Sequence, residues 1–156
     1  SPVGDALRSE LLFIHITFAF LAYAAFALSF VFSILYLILY RVLKKKKWTK
    51  QFSRLPSLQH AETGMTLSII TGIPLLFVSL VLGLQWAYIS LNEFSIFDFK
   101  IVNSFILLVL YIVVLLIRKG VRYKGTNYAW IHVYAFLFVI INFLLGSQLS
   151  QFHFWY

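Results

Sequence analysis

The chain contains no cysteine and few charged residues. Without thiols it cannot form disulfides, thiolate metal sites or thiol-relay chemistry. Charged side chains make up 12% of the 156 residues, about half of the ~25% that is usual in soluble domains. The sequence also lacks a phosphate-binding loop, a GxGxxG turn, an HExxH pair and a serine-centred elbow. These absences favour a protein that acts by binding, and we predict that it is not an enzyme.

Long apolar runs dominate what remains. Hydrophobic residues account for 62% of the chain and aromatic residues for 19%. A helix that spans a membrane needs ~17–25 predominantly apolar residues. Four runs meet that requirement, at residues 11–43, 65–89, 101–117 and 129–145. We therefore predict an all-α integral membrane protein, in which residues 1–156 form a single four-helix transmembrane domain. The chain begins at Ser1 without a methionine, which is compatible with a fragment of a longer protein.

The basic residues are concentrated in two loops. Of the 13 lysines and arginines, 11 lie in residues 41–54 and 118–124. Because basic loops stay on the cytoplasmic side of a membrane, this pattern predicts that both termini lie on the outer side. The net charge of +8 is thus interpreted as a topology signal and a contact with membrane lipid, and not as a nucleic-acid surface.

Two histidines are the first candidates for function. His15 begins a face of small residues at helical spacing, and His153 lies in the aromatic C-terminal tail; the predicted topology puts both on the outer side. Imidazole is costly beside lipid and is a common axial ligand of haem iron. The alternative is that His15 is a satisfied interfacial residue and that the tail is a membrane anchor. His132, on the inner side, is predicted to be a packing or hydrogen-bonding residue.

Polar and aromatic residues on the same side extend this candidate site. Polar side chains within spans normally face other helices or a wet cavity, so an outer cavity is expected. Aromatic rings would cover the faces of a porphyrin. The predicted cofactor-binding residues are His15, His153, Asn103, Asn142, Trp86 and Trp155, with His15 and His153 as the metal ligands.

Three segments resemble known membrane proteins. The stretch Leu12-Phe13-Ile14-His15-Ile16, the stretch Gly72-Ile73-Pro74-Leu75-Leu76 and the ending from Gly146 to Tyr156 resemble cytochrome c assembly proteins of the CcsA/ResC/HemX type. The resemblance covers nearly the whole chain and the C-terminal half of such proteins. Those that assemble cytochrome c carry a loop similar to W-G-x-x-W-x-W-D-P-K, whereas this chain has Phe97-Asp98-Phe99-Lys100. The loss of the tryptophans favours the HemX branch.

The resemblance implies a multi-pass protein of a bacterial plasma membrane. HemX-like proteins are associated with haem biosynthesis as negative effectors of glutamyl-tRNA reductase, so this reductase is an expected cytoplasmic partner at the basic loops 41–54 and 118–124. An N-terminal half or another membrane subunit is a further expected partner. The alternative is a cytochrome c assembly subunit that presents haem for attachment. A transporter half is ranked last, because the predicted spans contain no Asp, Glu or Lys.

Overall fold

The computed structural model describes residues 2–45, 56–90, 98–118 and 125–149, and these ranges contain four helices. They are α1 (Pro2–Lys45), α2 (Pro56–Ser90), α3 (Phe99–Ile117) and α4 (Thr126–Leu149). Each is long and apolar enough to cross a membrane, and no strand occurs in the described ranges. The predicted all-α, four-span architecture is therefore confirmed. The helices contain the predicted spans and extend past most of their ends; the 44 residues of α1 rise ~66 Å, about twice the ~30 Å hydrocarbon core.

Helices α1 and α2 form the most extensive contact and run antiparallel. His15 meets Ser79, Phe26 meets Gly72 and Phe32 meets Gly64. Small residues permit this approach: a Cβ added to Gly72 would lie 2.7 Å from Phe26 Cε1, and one added to Gly64 would lie 2.7 Å from Phe32 Cδ1. In lipid, such close packing drives helix association in place of the hydrophobic effect.

The starts of α3 and α4 are fixed by local chemistry. Asp98 caps α3, because its side chain accepts a hydrogen bond of 3.1 Å from the backbone N–H of Lys100, which satisfies a donor that a helix start leaves unpaired. Gly125 precedes α4 with a φ of 70°, a conformation that suits glycine. Its carbonyl accepts the Ala129 N–H at 3.1 Å.

The interior of the bundle is built from aromatic, small and hydrogen-bonded polar residues. Phe26 of α1 stacks on Tyr111 of α3, with ring centroids 3.9 Å apart. Thr66 of α2 and Tyr128 of α4 share a hydrogen bond of 2.8 Å. Large apolar side chains cover the outside of all four helices, as expected for surfaces in contact with lipid. Helices α2 and α3 pack mainly against their neighbours in chain order, whereas α4 packs most against α1 and closes the bundle.

Candidate functional site

A cavity of about 360 Å³ lies toward the end of the bundle that holds the start of α1 and the end of α2. Helices α1 and α2 supply most of its walls, while α3 contributes its first turns and α4 contributes Phe143. The walls are mainly apolar, with a few polar groups from His15, Ser79, Lys100 and Ser104. Such a mixture is typical of sites for small molecules.

The imidazole of His15 is held in one orientation by α2. Its Nδ1 lies 2.7 Å from the Ser79 backbone carbonyl oxygen. A carbonyl has no proton to give, so Nδ1–H donates and the lone pair of the neutral ring is on Nε2. The Ser79 hydroxyl in turn donates to the His15 carbonyl at 3.2 Å. A backbone acceptor on one ring nitrogen is the usual support for a histidine that ligates a metal through the other.

Gly83 makes room for this ring. A Cβ at position 83 would lie 2.7 Å from His15 Cε1 and 2.9 Å from Nδ1. Real Cβ atoms do not approach that closely, so any larger residue would displace the imidazole. Ser79 and Gly83 are four residues apart and therefore face the same side of α2. Small residues at this spacing are typical of helix-packing faces in membranes, and the group that these two pack against is His15.

Aromatic rings and one cation complete the walls. Phe20 and Tyr23 of α1, Trp86 of α2 and Phe143 of α4 line the cavity, and rings of this kind pack well against a planar macrocycle. Trp86 is 6% exposed and packs with Ala87 and Ile101. Lys100 lies in the first turn of α3, just before the predicted third span, and its half-buried side chain also faces the cavity.

The predicted site residues divide into three groups. His15 and Trp86 meet at the cavity. Asn103 and Asn142 are half-buried elsewhere on α3 and α4, and the Nδ2 atom of each has no hydrogen-bond partner within the described ranges. His153 and Trp155 lie outside the described residues, so the pairing of His153 with His15 stays a prediction. Sequence reasoning did not assign Tyr23, Lys100 or Phe143 to the site, because only the packing of separate helices brings them together.

His132 belongs to a different part of the bundle. It is fully buried, its Nδ1 lies 3.0 Å from the Ser29 hydroxyl, and its ring meets Tyr128 edge-on at 4.5 Å. These contacts agree with the prediction of a packing and hydrogen-bonding residue. Ser29 is on the same small-residue face of α1 as His15, three to four turns further along.

Comparison with known proteins identifies the class. The family model described as "Cytochrome C assembly protein" matches residues 1–153, and the chain belongs to this family. It is 45% identical over 147 residues to Protein HemX of Bacillus subtilis (strain 168), covering 94% of this chain and 53% of that protein. It is 38% identical over 154 residues to Protein HemX of Brevibacillus brevis, covering 99% of this chain and 56% of that protein. No solved structure matches the chain.

These findings confirm the resemblance inferred from the motifs. The chain is a multi-pass membrane protein with bacterial relatives, and it spans about half the length of the curated relatives it matches. That share fits the expectation of a C-terminal half.

Proposed function

We propose that this chain is the haem-binding part of a HemX-like membrane protein, in which His15 would hold the iron through its imidazole. The observation that carries the proposal is the His15 imidazole, anchored through Nδ1–H on the Ser79 carbonyl at 2.7 Å, in the wall of an aromatic cavity of about 360 Å³. Bound haem would supply an iron that accepts a nitrogen lone pair. The role of the chain is to bind and orient the group, and no catalytic step is assigned to it.

The donor set of the cavity suits haem. A porphyrin supplies four nitrogen ligands to its iron, so the protein needs to supply only one or two. A single imidazole is therefore enough to attach haem. The rings of Phe20, Tyr23 and Trp86 match an apolar planar molecule, and Lys100 matches the carboxylates at its edge. His153 would be the second ligand of the iron, with Trp155 beside it. Asn103 and Asn142, whose Nδ2 atoms have no hydrogen-bond partner within the described residues, stay predicted cofactor-binding residues outside the cavity lining.

Haemin titration of the purified protein tests this proposal. The expected result is a six-coordinate bis-imidazole spectrum in the wild-type protein, a five-coordinate spectrum in His153→Ala, and no specific band in the His15→Ala, His153→Ala double variant. His60→Ala is the matched control, because His60 is exposed at the opposite end of α2 and its removal should leave the spectrum unchanged. A wild-type protein that forms no haem band would disprove the proposal.

We further propose that the protein lowers the abundance of glutamyl-tRNA reductase through its basic loops. The support is the resemblance to HemX, together with the inward position that the charge pattern predicts for residues 41–54 and 118–124. Of these, Arg41, Lys44, Lys45 and Arg118 are described, and Lys44 and Arg118 lie 6.0 Å and 5.9 Å from the ring centroids of Tyr40 and Tyr128. The other basic residues of both loops lie outside the described residues.

Co-purification with the reductase tests this second step. Charge reversal of the basic residues in loops 41–54 and 118–124, Lys44 and Lys45 included, should abolish co-purification. It should also raise the cellular level of the reductase. Reversal of Arg8, which is exposed at the other end of α1, is the control and should change neither. Undiminished binding after reversal of both loops would show that they are not the docking surface.

The alternative function is the presentation of haem for attachment to an apocytochrome c. The family description and the position of Trp86 in the cavity wall favour it. Maturation of cytochrome c in a bacterial strain without its own synthase separates the two functions. Rescue by this protein would support the assembly role, whereas an unchanged defect in a strain that produces the protein would support the regulatory one.

A further inference from the structure

The seam between α1 and α4 is closed over part of its length. Ser29 of α1 lies 3.0 Å from His132 Nδ1, the rings of Phe30 and Phe136 stack at 5.0 Å, and the Tyr36 hydroxyl lies against Gly125. These contacts run antiparallel along the two helices. Continuing the same register brings Phe20 level with the turn of α4 that contains Phe143.

At that level the seam borders the cavity. Ile16 and Phe20 of α1 and Phe143 of α4 all line it. The same three side chains are exposed on the outside of the bundle, by 43%, 71% and 66%. Ile16, Phe20 and Phe30 lie on one stripe of α1 at helical spacing. This stripe contacts α4 at Phe30, and nearer the start of α1, at Phe20 and Ile16, it borders the cavity. Residues that form both a cavity wall and the outer surface mark a side entrance.

The surface around this entrance is apolar. Phe13 and Leu21 on α1 and Leu144 on α4 are exposed on the same stretch. Thr17 is the polar side chain exposed there on α1, and its hydroxyl donates to the Phe13 carbonyl at 2.9 Å. Because a rim facing water would carry polar groups, this composition matches hydrocarbon.

We propose that the cavity takes its ligand sideways from the bilayer, through the opening between α1 and α4. The inference rests on the proposed function for the identity of the ligand as haem. It adds that the form recognised is the membrane-partitioned one, a planar apolar molecule with carboxylates at one edge. Such a molecule enters past Phe20 and Phe143, reaches the imidazole of His15, and meets the ammonium group of Lys100 on the α3 wall.

The absence of cysteine permits a direct test of the route. Phe20→Cys and Phe143→Cys are introduced together, and the protein in lipid nanodiscs is cross-linked with a short cleavable bifunctional thiol reagent. Haem is then delivered from haem-loaded phosphatidylcholine vesicles. Cross-linking before delivery should slow the appearance of the haem band at least tenfold, and cleavage should restore it. Cross-linking after loading should retain the band. Uptake at the wild-type rate by the cross-linked protein would overturn the inference.

Two controls separate the route from other effects. The matched pair Leu28→Cys and Leu137→Cys places thiols at exposed positions of the same helices outside the cavity lining, and treatment with the reagent should leave uptake unchanged. Each single cysteine, capped by a monofunctional thiol reagent, shows the effect of added bulk alone.

A second measurement does not depend on haem. A fluorophore attached at position 20 or 143 should be quenched by brominated lipids more strongly than by aqueous iodide. Stronger quenching by iodide than by brominated lipids would overturn the lateral route. It would mean that the opening faces an aqueous channel or is covered by a further part of the protein. Absence of any haem band in the wild-type protein, with lipid quenching intact, would instead reject the proposed function and the ligand, while the opening itself would stand.

Discussion

At the scale of single residues, the site depends on how tightly α2 holds His15. The Ser79 carbonyl fixes the proton on Nδ1, and Gly83 leaves no spare space beside the ring. A histidine with one fixed tautomer presents its other nitrogen in a constant direction, which favours metal ligation over general acid or base chemistry. The hydrogen bond and the close packing of His15 thus support metal ligation, the function that the aromatic walls of the cavity also support.

The Gly83→Ala variant tests this arrangement. The added methyl group would lie 2.7 Å from His15 Cε1, so the ring must rotate away and lose its hydrogen bond to Ser79. Overpacking of this kind costs about 1–3 kcal/mol, and a cost of ~1.4 kcal/mol in the bound state is a tenfold loss of affinity. Haemin titration should therefore show affinity reduced about tenfold or more.

Gly64→Ala is the matched control for that variant. It makes the same substitution in the same helix, where the methyl group would lie 2.7 Å from the Phe32 ring instead. We expect a loss of thermal stability with little change in the haem titration. Equal effects of the two alanines on haem affinity would mean that Gly83 acts only through the packing of α1 on α2.

His132 provides a second prediction at this scale. Replacing it with alanine removes its hydrogen bond to Ser29 and opens a cavity among fully buried neighbours. Because the loss of a buried partner costs about 1–3 kcal/mol, the midpoint of thermal unfolding in detergent should fall clearly. The haem spectrum should persist, since His132 is not among the residues that line the cavity. Loss of the haem band from a folded variant would instead make His132 part of the binding site.

At the scale of helices, the sequence predicted which face of α1 is packed, but it did not predict which residues of the other helices line the cavity. The face that begins at His15 predicted a packed stripe, and Ala22, Ser29 and Ser33 on it are fully buried. Spacing along one helix is a local property, so the sequence carries it directly. The contribution of Lys100 and Phe143 depends on the register between helices, which the hydrophobic pattern of either helix leaves open because lipid-facing and buried residues are equally apolar.

The packed face of α1 is tested by two leucine substitutions. Ala22 is fully buried, whereas Ala24 is exposed on the lipid side of the same turn. Ala22→Leu should destabilise the protein by about 1–3 kcal/mol through overpacking, and Ala24→Leu should be near neutral. Thermal unfolding of both variants in the same nanodiscs provides the comparison. Similar stability of the two proteins would contradict the assignment of the packed face.

At the scale of the whole molecule, the bundle combines a closed half and an open half. The closed half holds the buried contacts of Phe26 with Tyr111, Ser29 with His132 and Thr66 with Tyr128. The other half holds the cavity, and His15 is among the residues that line it. Rigid packing at one end can therefore support a binding site at the other without closing it, which suits a protein that binds a planar ligand in a membrane.

The orientation of this bundle in the membrane is the last prediction. The basic residues at 41–54 and 118–124 predict that the cavity end faces outward and that the end of α1 faces the cytoplasm. In the cysteine-free chain, Asp5→Cys should react with a membrane-impermeant maleimide in intact spheroplasts. Lys45→Cys and His60→Cys, at exposed positions of the opposite end, should react only after permeabilisation. The opposite labelling pattern would turn the cavity toward the cytoplasm and would place the basic loops where a cytoplasmic reductase cannot reach them.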